Sequence, residues 1–191
     1  MITLNLKAEQ RERIRHLSKV GKDHPYQFLG YTLNLETGEF HDLLEKGIVH
    51  NEWDFQSITA LLAHYSLANE VPKRGKLVKF KDLPGGYAYE QAFIQRAVNP
   101  IAQVFGDNPT QLAEAAKLLR GKLVNYGDLS VEIPALEGIP IVYILWLGHE
   151  FSASANVLFD ESASCLLDTE SLACLGELTT ERLLRANSIL K

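Results

Sequence analysis

The alternation of hydrophobic and polar positions predicts several strands. Apolar side chains occupy every second position from Leu29 to Leu35, which is the period of a strand with one buried face. The turn-forming run Glu36-Thr37-Gly38-Glu39 then predicts a hairpin that closes through Phe40 to Leu44. From Ile141 to Leu147 every residue is apolar, which is typical of a central strand covered on both faces. Shorter strands are predicted at 76–80, 129–133 and 157–159.

Helical spacing of apolar residues is clearest between Trp53 and Leu67. The run Asn108-Pro109-Thr110-Gln111 combines an N-cap, a proline at the first helical position and a glutamine able to reach back, so it predicts a helix from Pro109 to Arg120 that stops at Gly121. Further helices are predicted over 6–20, 87–98, 169–175 and 180–190, with Pro100 kinking or ending the second and with Asp168 and Thr179 capping the last two.

The fold class follows from the order of these elements. The chain is 46% hydrophobic and 23% charged, which is close to an average globular composition and allows a substantial core. Neither a repeat nor a Ser/Pro-rich linker interrupts the pattern. We therefore expect one α+β domain over residues 1–191, in which several helices flank a central, mostly antiparallel sheet.

The charge and the apolar runs restrict the partners. A formal net charge of -5 gives no global attraction for phosphate backbones or anionic lipid, so nucleic acid is not an expected partner. The basic stretch Lys73 to Lys81 is interpreted as a solvated strand edge, with a bound anion as the alternative. The longest apolar run is too short to cross a bilayer, and residues 1–10 do not resemble a signal peptide, so a cytoplasmic protein without a membrane partner is expected.

The two cysteines do not predict a metal site. Cys165 and Cys174 lack a second pair and a nearby histidine, so neither zinc nor iron-sulfur ligand spacing can be drawn from them. Both are expected to be buried free thiols.

A first group of candidate ligand-binding residues surrounds a glycine pair that opens a helix. Gly85 and Gly86 form a turn whose free amides could attract an anion, although no phosphate-loop spacing accompanies them and a tight structural turn is the alternative. Tyr87 and Tyr89 follow at the mouth of the helix, where aromatic rings can stack on a planar ligand or pack in the core.

A second group follows the apolar strand. Trp146, His149, Glu150 and Phe151 lie just past its end, where functional groups are common. His149 and Glu150 could transfer a proton or bind a metal, but adjacent strand residues point to opposite faces and no third ligand is evident. A solvated or capping histidine is the alternative, and His64 is expected to pack or cap.

The chain also resembles a known family. Five segments carry the resemblance: Leu83-Pro84-Gly85-Gly86-Tyr87-Ala88-Tyr89, Ala92-Phe93, Ile139-Pro140, Trp146-Leu147-Gly148-His149-Glu150-Phe151 and Leu158-Phe159-Asp160. Over Ser57 to Leu178 they are similar to the domain of unknown function 3786 family. The resemblance implies a protein from anaerobic bacteria or archaea with unassigned activity, and an association with redox or corrinoid metabolism, because some members carry an extra iron-sulfur domain. An acidic residue is usual in that family where this chain has His149.

Three functional hypotheses follow. The first is a binding module for a small planar or anionic ligand, such as a tetrapyrrole, held between the Gly85-Gly86 turn and the Trp146 to Phe151 loop. The second is an enzyme in which Glu150 or His149 moves a proton. The third is a docking partner of an iron-sulfur or corrinoid protein. The residues themselves do not decide whether the protein is an enzyme, and they do not identify a cofactor.

Overall fold

The computed structural model describes residues 2–45, 52–148 and 152–191, with the backbone alone for residues 52–54. The strands are β1 (Ile2–Thr3), β2 (Tyr26–Phe28), β3 (Tyr31–Leu33), β4 (Glu39–Asp42), β5 (Leu77–Lys79), β6 (Lys122–Val124), β7 (Leu129–Leu136), β8 (Ile139–Trp146) and β9 (Ser154–Asp160). The α-helices are α1 (Ala8–Ser18), α2 (Glu52–Tyr65), α3 (Glu90–Phe93), α4 (Asn99–Phe105), α5 (Thr110–Leu118) and α6 (Thr169–Leu190).

The strands form two antiparallel sheets. The larger sheet has the order β5-β9-β8-β7-β6, and the smaller one has the order β1-β4-β3-β2. Helix α6 contacts α2, α4, α5 and β7, and β2 contacts β7, so the helices and both sheets share one cluster of buried apolar residues. This architecture confirms the α+β class and the antiparallel pairing expected from the sequence.

The central strand β8 lies where its composition predicted. It pairs with β7 on one side and β9 on the other, and its residues from Ile139 to Leu145 are buried. Pro134 and Pro140 lie between the strands predicted at 129–133 and 141–147, but they belong to β7 and β8 and lie opposite each other beside a register shift. The turn itself is confined to Glu137 and Gly138, and Gly138 has a φ of +83°.

The alternating run from Leu29 to Leu35 is only partly a strand. Leu29 and Gly30 have φ of 48° and 76° and form the two-residue turn between β2 and β3. The sequence did not predict β2, and the strand begins only at Tyr31. A buried leucine in a left-handed conformation costs about 1 kcal/mol, so tertiary contacts must hold this turn.

The closing helix is continuous, so the expectation of two short helices is wrong. Asp168 does cap α6, accepting a hydrogen bond from the Ser171 amide at 2.8 Å, but Thr179 is buried within the helix and donates to the Leu175 carbonyl. Gly176 lies between the two helices that were expected, and it is the site of a close approach: a Cβ there would lie 2.6 Å from the ring of Phe93. Packing therefore overrides the low helix propensity of glycine.

A buried ion pair attaches α6 to the smaller sheet. The Arg182 guanidinium donates two hydrogen bonds to the Asp42 carboxylate, at 2.6 and 2.7 Å, and a third from Nε to the Leu29 carbonyl at 2.9 Å. Its carbon Cζ lies 3.9 Å from the centre of the Tyr31 ring. Only 4% of Arg182 and 3% of Asp42 are exposed, so the pair is removed from water.

Replacing Arg182 tests this attachment. Arg182→Met is expected to lower the free energy of unfolding by about 3–5 kcal/mol, because it leaves the Asp42 carboxylate buried without its partner. Urea denaturation measures the loss. The control is Arg185→Met on the same helix, where the half-exposed Arg185 pairs with Glu45 and the expected loss is below about 1 kcal/mol. Equal losses in the two variants would contradict the role assigned to Arg182.

A second buried carboxylate, that of Asp160 at the end of β9, binds the backbone of the segment before β5. It accepts hydrogen bonds from the amides of Arg74, Gly75 and Ser162 at 3.0, 2.7 and 2.9 Å. Burial alone would raise the pKa of Asp160, but the hydrogen bonds from Ser162, Arg74 and Gly75 outweigh it and hold the pKa below the ordinary value of 3.8.

This lowered pKa predicts the pH dependence of stability. Because the folded pKa is below the unfolded one, the carboxylate stabilises the fold above the unfolded value of 3.8, and that contribution is lost as the pH falls through the folded pKa. Asp160→Asn is expected to cost about 1.5–3 kcal/mol at neutral pH and progressively less under acid conditions, as measured by urea unfolding across pH. The exposed Asp107→Asn serves as the control. A cost for Asp160→Asn that does not change with pH would contradict the prediction.

Candidate functional site

The helical segment after the glycine turn contains a π-helix. Residues Ile94–Val98 take this wider conformation between α3 and α4, and the Asn99 amide donates to the Ile94 carbonyl. Pro100 has no amide hydrogen to donate to the carbonyl of Arg96, so the ordinary α-helical ladder cannot continue there. One extra residue is included in the wider turn, and the chain then remains helical to Phe105. The sequence had predicted a kink or an end of the helix at Pro100.

Buried hydroxyl groups support the π-helix. The Thr180 hydroxyl donates to the Ala97 carbonyl at 2.8 Å. Tyr143 lies 3.1 Å from the Thr180 oxygen and donates to the Gly176 carbonyl at 3.3 Å. Burial raises the pKa of the Tyr143 hydroxyl well above its ordinary value, so it remains a proton donor. The sheet and α6 together therefore hold the π-helix in place.

Three helical rows enclose a groove, which we call the helix groove. Each row contains four positions spaced as i, i+3, i+4 and i+7, which lie on one face of a helix, and the row from α6 also includes Ser171. The rows are Ser57, Ala60, Leu61 and His64 from α2; Tyr89, Ala92, Phe93 and Arg96 from the segment that contains the π-helix; and Glu170, Ser171, Ala173, Cys174 and Glu177 from α6. The cavity between them has a volume of about 380 Å³ and is mostly apolar.

One end of the helix groove holds a histidine bound to the start of α6. His64 Nδ1 lies 2.8 Å from Ser171 Oγ and 3.7 Å from Asp168 Oδ2. The hydrogen bond from the Ser171 amide lowers the pKa of Asp168, and the nearby His64 contributes to the same shift. His64 therefore hydrogen-bonds to the first turn of α6, and it is half-exposed toward the cavity.

The middle of the helix groove holds a loosely paired arginine. Arg96 Nη1 lies 3.6 Å from Glu177 Oε1, which is longer than a hydrogen bond. Burial raises the pKa of Glu177, and Arg96 only partly opposes the rise. Two thirds of the Arg96 side chain is exposed, so its guanidinium can also bind another anion.

Cys174 lines the same cavity with an unreactive thiol. Burial, together with the charges of Glu177 and Glu170, raises its pKa to about 11, so the thiol is protonated at neutral pH. It is partly buried, whereas Cys165 is exposed, and the expectation that both thiols are buried is therefore wrong for Cys165.

The glycine turn has the structure expected of a tight turn. Gly85 has a φ of +77°, which favours glycine. Gly86 has ordinary φ but no room for a side chain, because a Cβ would lie 1.9 Å from the Phe80 carbonyl oxygen. Of the two tyrosines that follow, Tyr87 is 80% exposed and Tyr89 is 56% exposed, and Tyr89 lines the helix groove.

The second group of candidates is described only in part. Trp146 ends β8 opposite Ser154 and is half-buried. His149, Glu150 and Phe151 lie outside the described residues, so the proton-transfer hypothesis that depends on them stays a prediction.

A smaller cavity lies between residues that precede the glycine turn and residues that follow the Trp146 to Phe151 loop. Its volume is about 260 Å³, and its lining includes Lys79 and Lys81 before the glycine turn and residues 153–157 after the tryptophan loop. Lys81 also pairs with Glu90 at 3.4 Å. Neither glycine of the turn nor Trp146 lines this cavity, so the hollow expected between Gly85-Gly86 and Trp146 to Phe151 stays a prediction.

Residues 2–45, 52–148 and 152–191 contain no group of three or more His, Cys, Asp or Glu side chains arranged to hold a metal ion. None of the helices in these ranges has the length and hydrophobicity needed to cross a membrane.

The fold and the helix groove define an α+β domain with a ligand-sized cavity between helices. The chain belongs to the family described as Domain of unknown function (DUF3786), whose model matches residues 22–182. The match confirms the resemblance found in the sequence and begins earlier than Ser57, so it includes the strands β2, β3 and β4. No curated protein and no solved structure matched the chain.

Sequence reasoning identified Tyr89 but missed most of the helix groove. His64 and Arg96 have no other candidate functional residue near them in the sequence. Ser171 and Glu177 belong to α6, for which two separate short helices were expected. The recurrence of small or polar residues at helical spacing in three separate segments was the available signal.

Removing one hydroxyl group tests the support of the π-helix. Thr180→Val keeps the shape of the side chain but leaves the buried Ala97 carbonyl without its donor, at an expected cost of about 1–3 kcal/mol in the free energy of unfolding. The control Thr59→Val removes a half-exposed hydroxyl that bonds only within α2 and should cost less. If chemical denaturation gives the same cost for both, the Thr180 hydroxyl does not support the π-helix.

Proposed function

We propose that this protein is a cytoplasmic binding module for a small ligand that is planar and carries an anionic group. In this proposal the ligand occupies the helix groove, with its ring beside Tyr89 and its anion at Arg96. The single observation that carries the proposal is a mostly apolar cavity of about 380 Å³ that contains a largely exposed arginine, whose Nη1 lies 3.6 Å from the Glu177 carboxylate.

The size and lining of the cavity support a small ligand. Binding pockets for small molecules commonly have volumes of about 300–1,000 Å³ and combine apolar walls with a few polar groups. Here Leu61, Ala92 and Phe93 supply apolar surface, while Tyr89 offers a ring for stacking. A flat ring can be buried between such walls without leaving polar atoms unpaired.

The charges support an anionic group on that ligand. A carboxylate bound at Arg96 would exchange a 3.6 Å ion pair for a charge-assisted hydrogen bond. Because burial already raises the pKa of Glu177, that residue accepts a proton more readily when it loses Arg96. Any proton that Glu177 takes up offsets part of the cost of separating it from Arg96.

The metabolic setting comes from the family resemblance alone. On that basis we propose a link to anaerobic redox metabolism, with a tetrapyrrole among the candidate ligands and an iron-sulfur or corrinoid protein as a candidate partner. Native mass spectrometry of protein expressed without oxygen tests both ideas, since a retained molecule or a bound partner adds a defined mass.

The role of Arg96 gives the sharpest test of binding. A panel of haem, corrinoids, flavins, nucleotides and aromatic carboxylates is screened by thermal shift, and the affinity of each compound that binds is measured by calorimetry. For the compound that binds most tightly, Arg96→Gln is expected to weaken binding by about tenfold to a hundredfold, because it removes a hydrogen bond to a charged group.

The control is Arg120→Gln, which changes an exposed arginine that does not line the helix groove. It should leave the affinity unchanged. A panel in which no compound binds, or an Arg96→Gln variant that binds as tightly as the original protein, would refute the proposed site.

A further inference from the structure

The helix groove continues beyond the ion pair into a second cavity. This second cavity has a volume of about 310 Å³ and shares Ser57, Arg96, Cys174 and Glu177 with the first. Its remaining lining residues are Leu178, Thr180, Glu181 and Leu184, all from α6. The two cavities are therefore neighbouring compartments along one helix, and Arg96 and Glu177 stand at their junction.

The compartments together are long and narrow. The lining residues on α6 run from Glu170 to Leu184, which corresponds to about 20 Å at the rise of an α-helix. A compact ligand bound beside Tyr89 and Arg96 would fill only the first compartment. The second would then keep an apolar surface exposed to water, which disfavours such an arrangement.

The charges differ between the two compartments. Arg96 is the single cationic side chain among the described residues that line the second compartment, and Glu177 and Glu181 are both acidic. A second anionic group placed there would have no cation among these lining residues except Arg96, which already binds the first, so the part of a ligand that enters should be uncharged. The half-buried Leu184, next to the exposed edge of the largely buried Leu178, supplies the surface that an apolar chain would cover.

We infer that the ligand is an elongated amphiphilic carboxylate whose aromatic ring lies beside Tyr89, whose carboxylate binds Arg96, and whose uncharged apolar arm lies over Leu178 and Leu184. This inference rests on the proposed function and adds the chemical class of the ligand. It follows from the position of the one arginine, at the junction and not at either end. The carboxylate is therefore expected in the middle of the molecule.

A homologous series of probes tests the arm. N-acyl-L-tyrosines carry a ring, a central carboxylate and an acyl chain of adjustable length. Calorimetry with acyl chains of two to eight carbons is expected to show that each added methylene tightens binding by up to about fourfold, until the second compartment is filled.

Two variants locate the arm. Leu184→Gln makes the second compartment more polar at a half-buried position and should flatten the dependence on chain length, while the acetyl compound binds as before. Leu67→Gln changes a leucine that is 75% exposed and does not line either compartment, so it should leave the whole series unchanged.

The outcomes separate this inference from the proposed function. If the acetyl compound binds through Arg96 but longer chains bring no gain, the arm is refuted and the binding module stands. A gain that persists in Leu184→Gln places the arm elsewhere and also refutes the inference. If neither this series nor the wider panel binds, both proposals are refuted.

Discussion

The buried pair of Arg182 and Asp42 determines how the longest helix sits against the rest of the molecule. A bidentate ion pair allows little rotation, and the third hydrogen bond to the Leu29 carbonyl fixes the guanidinium further. Because α6 is a rigid rod, holding Arg182 also sets the direction in which its other side chains point. The residues that line the helix groove thus depend on a contact made at the smaller sheet.

Such a pair specifies an arrangement more than it adds stability. Two charges lose their hydration when they are buried, and well-packed apolar residues of the same size are often as stable. An apolar substitute, however, would not select one rotation of α6 or hold Leu29 in its left-handed conformation. Strands β2, β3 and β4 of the smaller sheet, among them the strand that carries Asp42, lie within the residues matched by the family model.

The π-helix is the second constraint on the groove. Pro100 prevents an ordinary α-helix at the carbonyl of Arg96, and the extra residue in the wide turn changes the direction of the side chains that follow. The Thr180 hydroxyl donates to the Ala97 carbonyl of this irregular backbone from the side of the core, and the Tyr143 hydroxyl lies beside that of Thr180. The positions of the row from α6 and of the row that carries Arg96 therefore depend on each other.

Sequence patterns identified the elements better than their boundaries and contacts. An unbroken apolar run was sufficient to predict β8, because a strand buried on both faces has apolar side chains at every position. The helical spacing of apolar residues was sufficient to predict α2, because burial on one face leaves a clear period. The prediction was wrong at Leu29 and between the two expected closing helices, and a partner distant in sequence contacts each place: Arg182 donates to the Leu29 carbonyl, and Phe93 packs against Gly176. Local propensity carries no information about such partners.

The same reasoning explains why the helix groove was not foreseen. A site formed after the end of a strand appears in the sequence as a cluster of polar and aromatic residues. The segment Trp146 to Phe151 is a cluster of this kind. A groove between three helices leaves only single residues, such as His64 and Arg96, separated by long stretches of core positions. Side chains on packed helices are nevertheless held more rigidly than those on loops, so a ligand bound there loses less free energy to ordering the protein. That difference favours the helix groove as the place where a small ligand would bind.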